Sequence, residues 1–461
     1  MSSIDRILQT YCLGNYEFRE PDYQQILRWV DALRCDPEDV LEMLEQSEMD
    51  DYKVKVEPPL EIRFTVVDGR IRSLVWDCDL LSTEGWTWHE GLDIQTLAVI
   101  SAERYARLPI PLPTSVQTLY CCRLWLEELD LLPVPNLTQL WCSENQLTVL
   151  DLSPVPNLIK LDCGYNQLTA LDLSPVPNLT ELVCWRNELT TLDLSPVPNL
   201  TKLDCGYNRL TALDLLPVPN LTQLWCSENQ LTVLDFSPVP NLTELKCWDN
   251  RLTALDLSPV PNLTELKCWD NRLTALDLSP VPNLVGLWCE GNELTALDLS
   301  PVFNLTKLWC EGNELTALDL SSVPNLNELN CKNNPLTTLD LSPVPNLTEL
   351  DCSYNQLTTL DLSPVSHLTE LWCQYNELIA LDLSPVPNLT QLVCYGNELT
   401  AFDLSPVTHL TELKCGRNPL TKLDIQPLSK LESLELDNIT QLIGIPPPDC
   451  KIEYLWTAPT G

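Results

Sequence analysis

The stretch that decides the fold is a 21-residue unit, which in residues 140–160 is LWCSENQLTVLDLSPVPNLIK. The unit returns from Leu119 to Leu431 without an insertion or a deletion, and a cysteine marks the same place in every copy, from Cys121 to Cys415. An asparagine follows three residues after each cysteine except the first, from Asn145 to Asn418. A short fixed period of this kind predicts stacked coils, in which each repeat buries its apolar residues only against its neighbours.

The apolar frame of the unit carries a family resemblance. The pattern L-x-x-L-x-C-x-x-N-x-L, formed for example by Leu137, Leu140, Cys142, Asn145 and Leu147, resembles the leucine-rich repeat with cysteine at its third apolar position. The remainder, L-T-x-L-D-L-S-P-V-P-N, is similar to short bacterial repeats of the internalin-like type. The resemblance implies an α/β repeat solenoid, an arc with a parallel β-sheet on its concave face and short turns or 3-10 segments on its convex side. It also implies, as is usual for this family, a binding role.

Three regions are predicted along the 461 residues. Residues 1–112 form an N-terminal cap that contains helices and a β-hairpin, residues 113–433 form about 15 coils of 21 residues, and residues 434–461 form a C-terminal cap. Caps are expected because the two ends of a repeat stack otherwise expose its core. The chain is therefore predicted to be one solenoid with a small α+β cap at its N-terminal end.

The N-terminal region is predicted to be helical to about residue 52. Its first helix follows Pro21, because apolar residues recur there at helical spacing, and its second begins at Pro37 with Asp36 as its N-cap. In residues 61–76, the pair Asp68-Gly69 lies between apolar alternations, which is typical of a tight hairpin. An alternative is that Ile71 and Leu74 begin a degenerate first coil.

The cluster of Trp86, Trp88 and His89 is compatible with two interpretations, a small site or packing beneath the first coil. Packing beneath the first coil is the favoured interpretation. The segment from Leu108 to Pro113 has three prolines in six residues and is predicted to be a stiff extended connection.

Within a repeat, the alternation of Leu140, Trp141, Cys142 and Ser143 predicts a strand with leucine and cysteine inward and the other residues outward. The cysteines would then be small buried hydrophobes, stacked on strands about 4.8 Å apart with parallel Cβ vectors that do not favour disulfides. The asparagine that follows is expected to satisfy backbone groups of adjacent coils and to form a ladder along the stack.

The formal net charge of −38 comes largely from the repeat frame. Fifteen of the acidic residues are the framework aspartates of the L-D-L segment, from Asp130 to Asp424. These aspartates either accept hydrogen bonds from a neighbouring Ser or Thr, such as Ser153, or bind calcium between coils. The hydrogen-bonded form is favoured, because no glycine-rich calcium-binding repeat is present.

Several classes of site and partner are excluded by composition. Without a cluster of Lys and Arg, nucleic acid is not an expected partner, and without a C-x-x-C pair or clustered histidines, no metal or cofactor is expected. Membrane insertion is not expected, since no apolar run approaches the roughly 18 residues of a spanning helix. Because the N-terminus does not resemble a secretory signal, the expected compartment is the cytoplasm.

The residues that vary between repeats cluster beside the cysteine, and many of them are aromatic. Twelve of the fourteen units from Cys142 to Cys415 place Trp or Tyr on the concave strand or at its rim. A contiguous aromatic band of this kind indicates a partner surface, although aromatic rings stacked between strands also stabilise a sheet. The predicted partner-binding residues are Trp141, Tyr165, Trp185, Tyr207, Trp225, Trp248, Trp269, Trp288, Trp309, Tyr354, Trp372, Tyr375 and Tyr395.

The expected function is non-enzymatic binding of a protein or peptide on this concave face. Carbohydrate is the alternative, because flat rings stack on sugars, but the position of the ring shifts from repeat to repeat, whereas an extended sugar chain would favour regular spacing. An enzyme is the third class, and it is disfavoured because a solenoid presents like residues in rows rather than the converging unlike residues of a catalytic site. The oligomeric state is left open, since the same face could pair with a second copy.

Overall fold

The computed structural model describes residues 10–13, 16–19, 63–67, 70–77, 96–100, 107–108 and 112–455. These residues belong to two compact units, Met1–Leu221 and Thr222–Gly461, which are described in turn.

The first unit contains two hairpins and a parallel sheet. Its strands are β1 (Thr10–Leu13), β2 (Tyr16–Arg19), β3 (Arg63–Val67), β4 (Arg70–Asp77), β5 (Thr96–Ile100), β6 (Thr118–Tyr120), β7 (Gln139–Trp141), β8 (Lys160–Asp162), β9 (Glu181–Val183) and β10 (Lys202–Asp204). Strands β1 and β2 pair antiparallel, as do β3 and β4. From β4 to β10 each strand pairs in parallel with the next, which aligns Leu74, Leu97, Leu119 and Leu140.

Strand β4 reconciles the two interpretations of residues 61–76. Its antiparallel pairing with β3, with Val67 opposite Arg70, agrees with the predicted hairpin at Asp68-Gly69. Its other edge pairs in parallel with β5, so Leu74 also occupies the place of the first leucine in the stack, as the alternative stated. The parallel sheet therefore begins two strands before the first cysteine-containing repeat.

The second unit continues the repeat pattern. Its strands are β11 (Gln223–Trp225), β12 (Glu244–Lys246), β13 (Glu265–Lys267), β14 (Gly286–Trp288), β15 (Lys307–Trp309), β16 (Glu328–Asn330), β17 (Glu349–Asp351), β18 (Glu370–Trp372), β19 (Gln391–Val393), β20 (Glu412–Lys414), β21 (Lys422–Asp424), β22 (Ser433–Asp437), β23 (Gln441–Ile443) and β24 (Lys451–Leu455). Strands β11 to β20 pair in parallel in sequence order, and β22 and β24 extend the same sheet. Strands β21 and β23 form a separate parallel pair.

The core of each repeat consists of the inward leucines, the cysteine and one valine. In the repeat that begins at β12, Leu245, Cys247, Leu252 and Val260 are all fully buried. All fifteen framework cysteines are buried with free thiols, which confirms their predicted inward position, and burial raises the pKa of thiols such as Cys247 to about 12. Since a buried leucine side chain contributes about 2 kcal/mol, this repeated core is the main stabilising element.

The predicted asparagine ladder is confirmed. The Asn271 side chain accepts a hydrogen bond from the Leu252 N–H at 3.0 Å in the preceding repeat. Its amide nitrogen donates to the Cys247 carbonyl of that repeat at 3.0 Å and to the Cys268 carbonyl of its own repeat at 3.1 Å. One side chain thereby satisfies backbone groups of two coils that would otherwise be buried without partners.

The framework aspartates accept hydrogen bonds, as predicted, but the common donor is a backbone N–H. In all fifteen copies the carboxylate accepts from the N–H two residues later, for example from Ser153 to Asp151 at 2.9 Å, whether that residue is Ser, Leu or Gln. The hydroxyl and the N–H of Ser258 together hold the pKa of Asp256 below its ordinary value. The aspartates are therefore exposed turn caps.

The predicted helices are not found among the described residues. The described residues contain strands and turns but no helix, so the predicted α/β class is not confirmed, although the parallel solenoid and the short turns between its strands are. The helical interpretation of residues 1–52 is wrong for residues 10–13 and 16–19, which form strands β1 and β2. Aromatic residues such as Tyr11 and Phe18, on either side of Gly14-Asn15, favour a hairpin over a helix.

Other predicted features lie outside the described residues. These are the two helices after Pro21 and Asp36, the cluster of Trp86, Trp88 and His89, and part of the proline-rich connection before Pro113. Within the ranges described above, no helix has the length and apolar character that crossing a bilayer requires.

Candidate functional site

The sheet face is the outward side of the parallel strands together with the two residues that follow each framework cysteine. All thirteen predicted aromatic residues lie on it, and each is half-buried or exposed. The aromatic residues at the third strand position are Trp141, Trp225, Trp288, Trp309 and Trp372. The aromatic residues directly after the cysteine are Trp185, Trp248, Trp269 and Tyr395. The aromatic residues one position further are Tyr165, Tyr207, Tyr354 and Tyr375.

In the first unit the aromatic rings contact one another in two clusters. Tyr120 stacks on Trp141 with ring centroids 4.3 Å apart. Trp185 makes edge contacts with Tyr165 at 5.9 Å and Tyr207 at 6.1 Å. Tyr120 is not among the predicted partner-binding residues, although it occupies the same repeat position as Trp141 in the unit before it.

In the second unit the rings contact both aromatic and basic neighbours. Trp248 stacks on Trp269 at 4.7 Å, with the two ring planes 10° apart. The Lys267 ammonium lies 4.5 Å from the Trp288 ring centroid, which is within the range of a cation–π contact. Further along the sheet, Tyr375 contacts both Tyr354 at 4.6 Å and Tyr395 at 5.0 Å. The aromatic rings therefore have a packing role between strands as well as exposed surface.

The second residue after each framework cysteine has a left-handed backbone conformation. Its φ is positive in all fifteen copies, and it is a glycine in only three of them, Gly291, Gly312 and Gly396. Bulky residues are uncommon in this region, where asparagine and glycine are the least strained choices. Even so, the position holds Tyr165 (φ 51°), Tyr207 (φ 51°), Tyr354 (φ 54°) and Tyr375 (φ 52°).

Small residues make room for several of the rings. A Cβ atom added to Gly164 would lie 2.4 Å from the indole nitrogen of Trp185 in the next repeat. A Cβ added to Gly396 would lie 2.7 Å from the Tyr375 ring, in addition to its positive φ of 67°. The positions of these rings are thus set by the residue in the adjacent coil, which the sequence of one repeat does not predict.

Charged side chains on the sheet face are mostly paired. Lys267 contacts Glu265 at 2.9 Å and Lys332 contacts Glu311 at 2.7 Å. Glu290 is an exception, because its Oε2 atom is buried without a hydrogen-bond partner. Burial, together with the nearby charges of Glu311 and Asp270, raises the pKa of Glu290 to about 7.

One cavity opens on the sheet face at the C-terminal end of the second unit. It has a volume of about 380 Å³ and is lined by Trp372, Gln374, Tyr375, Val393, Tyr395, Lys414, Arg417, Glu435 and Leu455. Three of these are predicted partner-binding residues. Glu435 and Leu455 were missed because β22 and β24, which supply them, lie beyond the cysteine repeats.

The chemistry available on this face is recognition through rings and hydrogen bonds. Among the described residues, no group of three or more His, Cys, Asp or Glu side chains could hold a metal ion. The framework cysteines are buried at the core positions, where burial raises the pKa of thiols such as Cys268 and keeps them protonated.

Comparison with known proteins identifies the repeat. The families described as "Leucine Rich repeats (2 copies)" and "Leucine Rich Repeat" match residues 198–239 and 346–368. The functional domain of InlJ from Listeria monocytogenes, whose structure includes a cysteine ladder, is similar at 38% identity and a TM-score of 0.61. That match covers 64% of this chain and 66% of the InlJ chain, just under two thirds of its length.

Two further bacterial structures are similar over more of their length. A leucine-rich repeat protein from Leptospira interrogans has 27% identity and a TM-score of 0.68, over 74% of this chain and 96% of its own. YopM from Yersinia enterocolitica has 29% identity and a TM-score of 0.62, over 78% of this chain and 82% of its own. No curated protein sequence matches significantly. The repeat frame, the buried cysteine ladder and these similarities together identify the chain as a bacterial-type leucine-rich repeat protein with 21-residue, cysteine-containing repeats.

Proposed function

We propose that the sheet face binds a protein or peptide partner and that the chain acts as a non-enzymatic scaffold. Leucine-rich repeat solenoids typically act in protein–protein binding, and the family matches support that general role. We also propose the cytoplasm as the compartment, because fifteen stacked thiols suit a reducing environment.

The observation that carries the proposal is the set of tyrosines in a strained backbone conformation. A left-handed conformation costs roughly 1–2 kcal/mol for a residue other than glycine, and asparagine is one of the few that tolerate it. Asn333 occupies this position in one repeat, so the fold accepts a less strained residue there. Tyr165, Tyr207 and Tyr354 are nevertheless 41%, 37% and 43% exposed. Large rings kept exposed at strained positions favour a recognition role over a purely structural one.

The expected partner presents both basic and apolar side chains. The chain carries a formal net charge of −38, which steers a basic partner toward it, although the fifteen framework aspartates that supply much of this charge lie in the turns and not on the sheet face. Exposed tyrosine and tryptophan rings provide the flat contact area that anchors protein interfaces. A regular carbohydrate chain fits the whole band less well, because the ring occupies three different positions in successive repeats.

The test replaces three strained tyrosines by the residue that the same position tolerates elsewhere in the chain. In the variant Tyr165→Asn, Tyr207→Asn and Tyr354→Asn, relief of strain offsets the lost ring contacts, which contribute about 0.5–1.5 kcal/mol each. We therefore expect the free energy of unfolding to change by less than about 1 kcal/mol per site. Proteins captured from a lysate by the parent chain are purified and titrated, and we expect at least about tenfold weaker binding to the variant, or about 1.4 kcal/mol.

A matched control changes three exposed apolar residues away from the sheet face. These are Val149→Asn, Val233→Asn and Ile379→Asn, whose side chains are 72%, 71% and 66% exposed. The control is expected to bind like the parent. Equal affinity of the parent, the tyrosine variant and the control for the purified partner would show that these rings do not contact it and would contradict the proposal.

A further inference from the structure

The cavity at the C-terminal end of the sheet face is built from five neighbouring strands. Trp372 lies at the end of β18, Val393 at the end of β19, Lys414 at the end of β20, Glu435 in β22 and Leu455 at the end of β24. Its volume of about 380 Å³ is at the lower end of the range found for small-ligand sites, which is roughly 300–1,000 Å³. The cavity thus has the size for a small ligand rather than for a folded partner.

Gln374, which lines this cavity, has a buried acceptor atom without a partner. Gln374 is only 8% exposed, and its Oε1 atom makes no hydrogen bond. A buried polar atom without a partner is costly, so it is normally paired in a native structure. Because a carbonyl oxygen can only accept, the missing partner must supply an N–H or an O–H group.

The other polar side chains around the cavity offer both donors and acceptors. Arg417 donates to the Tyr375 hydroxyl at 2.8 Å, and Lys414 contacts Glu412 at 2.7 Å, so two cations are held in place beside the cavity. The Glu435 carboxylate supplies a hydrogen-bond acceptor and a negative charge. With two cations and one carboxylate in the lining, neither a strongly cationic nor a strongly anionic ligand is favoured.

The apolar part of the lining consists of rings and two aliphatic side chains. Trp372, Tyr375 and Tyr395 surround the cavity with Val393 and Leu455. Gly416 permits this arrangement, because a Cβ atom there would lie 2.7 Å from the Leu455 side chain. The same role belongs to Gly396, where a Cβ would lie 2.7 Å from the Tyr375 ring. The walls are therefore set by close packing between neighbouring coils.

A ligand that fits must combine a flat apolar face with hydroxyl groups that both donate and accept. A pyranose ring has this combination, since its C–H face packs on an aromatic ring while its hydroxyls bond to amide, carboxylate and cationic groups. We propose that this cavity binds a neutral saccharide, with the sugar ring against Trp372 and a hydroxyl donating to Gln374 Oε1. The site is separate in chemistry from the macromolecular partner proposed for the rest of the sheet face and does not depend on it.

The experiment uses the full chain and two glutamine variants of matched size. The chain is applied to an array of immobilised glycans, which includes neutral, sialylated and sulfated chains, and free neutral mono- and disaccharides are titrated by calorimetry. Binding of free saccharides indicates a soluble ligand, whereas binding of arrayed chains alone indicates a glycan end. Gln374→Met removes the acceptor without changing the side-chain length, and Gln391→Met, in β19 but not in the lining, is the control.

We expect Gln374→Met to weaken saccharide binding at least tenfold, with unfolding temperature equal to or above that of the parent, because the orphaned carbonyl is removed. Gln391→Met is expected to bind like the parent. The proposal is overturned if no neutral saccharide binds, if only sialylated or sulfated glycans bind, or if both glutamine variants bind equally well. It is also overturned if an oligolysine peptide, rather than a saccharide, shows affinity that Gln374→Met reduces, or if Gln374→Met lowers the unfolding temperature.

Discussion

Replacement of Asn271 by alanine is expected to destabilise the second unit by about 2–5 kcal/mol. The substitution removes the acceptor for the Leu252 N–H and the donor to the carbonyls of Cys247, Cys268 and Trp269. These groups lie between two coils, where Asn271 itself is only 8% exposed, so water replaces the lost bonds poorly. Each buried backbone group left without a partner costs about 1–3 kcal/mol, so the loss of a partner at two of these four groups already accounts for the expected range.

The preceding repeat provides the control. Asn262 is exposed and makes a single long hydrogen bond, 3.5 Å from its amide nitrogen to the Pro240 carbonyl. Asn262→Ala is therefore expected to change stability by less than about 0.5 kcal/mol. Guanidinium unfolding followed by circular dichroism compares the two variants, and hydrogen exchange of the Leu252 amide reports the local effect. If Asn271→Ala and Asn262→Ala unfold alike and the Leu252 amide stays protected, the ladder does not stabilise the stack.

Interactions that recur at the repeat period were predictable from the sequence. A single repeat contains the inward leucine and cysteine and the asparagine after them, and copying one unit at a fixed spacing places Asn271 against Cys247 of the coil before it. The aspartate turns were predictable for the same reason, since Asp256 and Ser258 lie within one repeat.

Three other features were not predictable from the sequence. The left-handed position is one, because Tyr207 and Asp249 do not have the strong preference for positive φ that glycine has. Strand β5 is another, since its sequence Thr96–Ile100 lacks the cysteine that marks the repeats. The saccharide cavity is a third, because Gln374 lies in a cysteine repeat whereas Glu435 and Leu455 come from strands beyond the last one.

Replacement of Glu290 by glutamine is expected to stabilise the chain at pH 8 by about 1–3 kcal/mol and to have little effect at pH 4. Burial raises the pKa of Glu290 from its ordinary value of 4.5 to about 7. The folded chain therefore holds the proton more tightly than the unfolded chain does. The stabilising contribution of the protonated side chain is complete below pH 4.5 and is lost as the pH rises through about 7. Glutamine keeps the shape of the protonated form and does not ionise.

The neighbouring carboxylate gives an independent check. Glu311 raises the pKa of Glu290, whereas Lys267 lowers it. Glu311 is itself paired with Lys332 at 2.7 Å. Glu311→Gln is expected to move the loss of stability to lower pH, since one like charge is removed. Thermal unfolding between pH 4 and pH 8 measures both effects. A parent and a Glu290→Gln variant whose stabilities follow the same pH curve would show that Glu290 titrates at its ordinary value.

The pH dependence of binding at Glu290 distinguishes a basic partner from an apolar one. Glu290 lies between Trp288 and Gly291 on the sheet face. The exposed Trp309 lies on the same face in the next repeat. A basic partner that contacts this carboxylate favours its ionised form, so the affinity of the parent would rise between pH 6 and pH 8. An apolar partner that covers it favours the protonated form, so the affinity would fall over the same range. Glu290→Gln should remove either trend, and the expected rise follows from the basic partner proposed above.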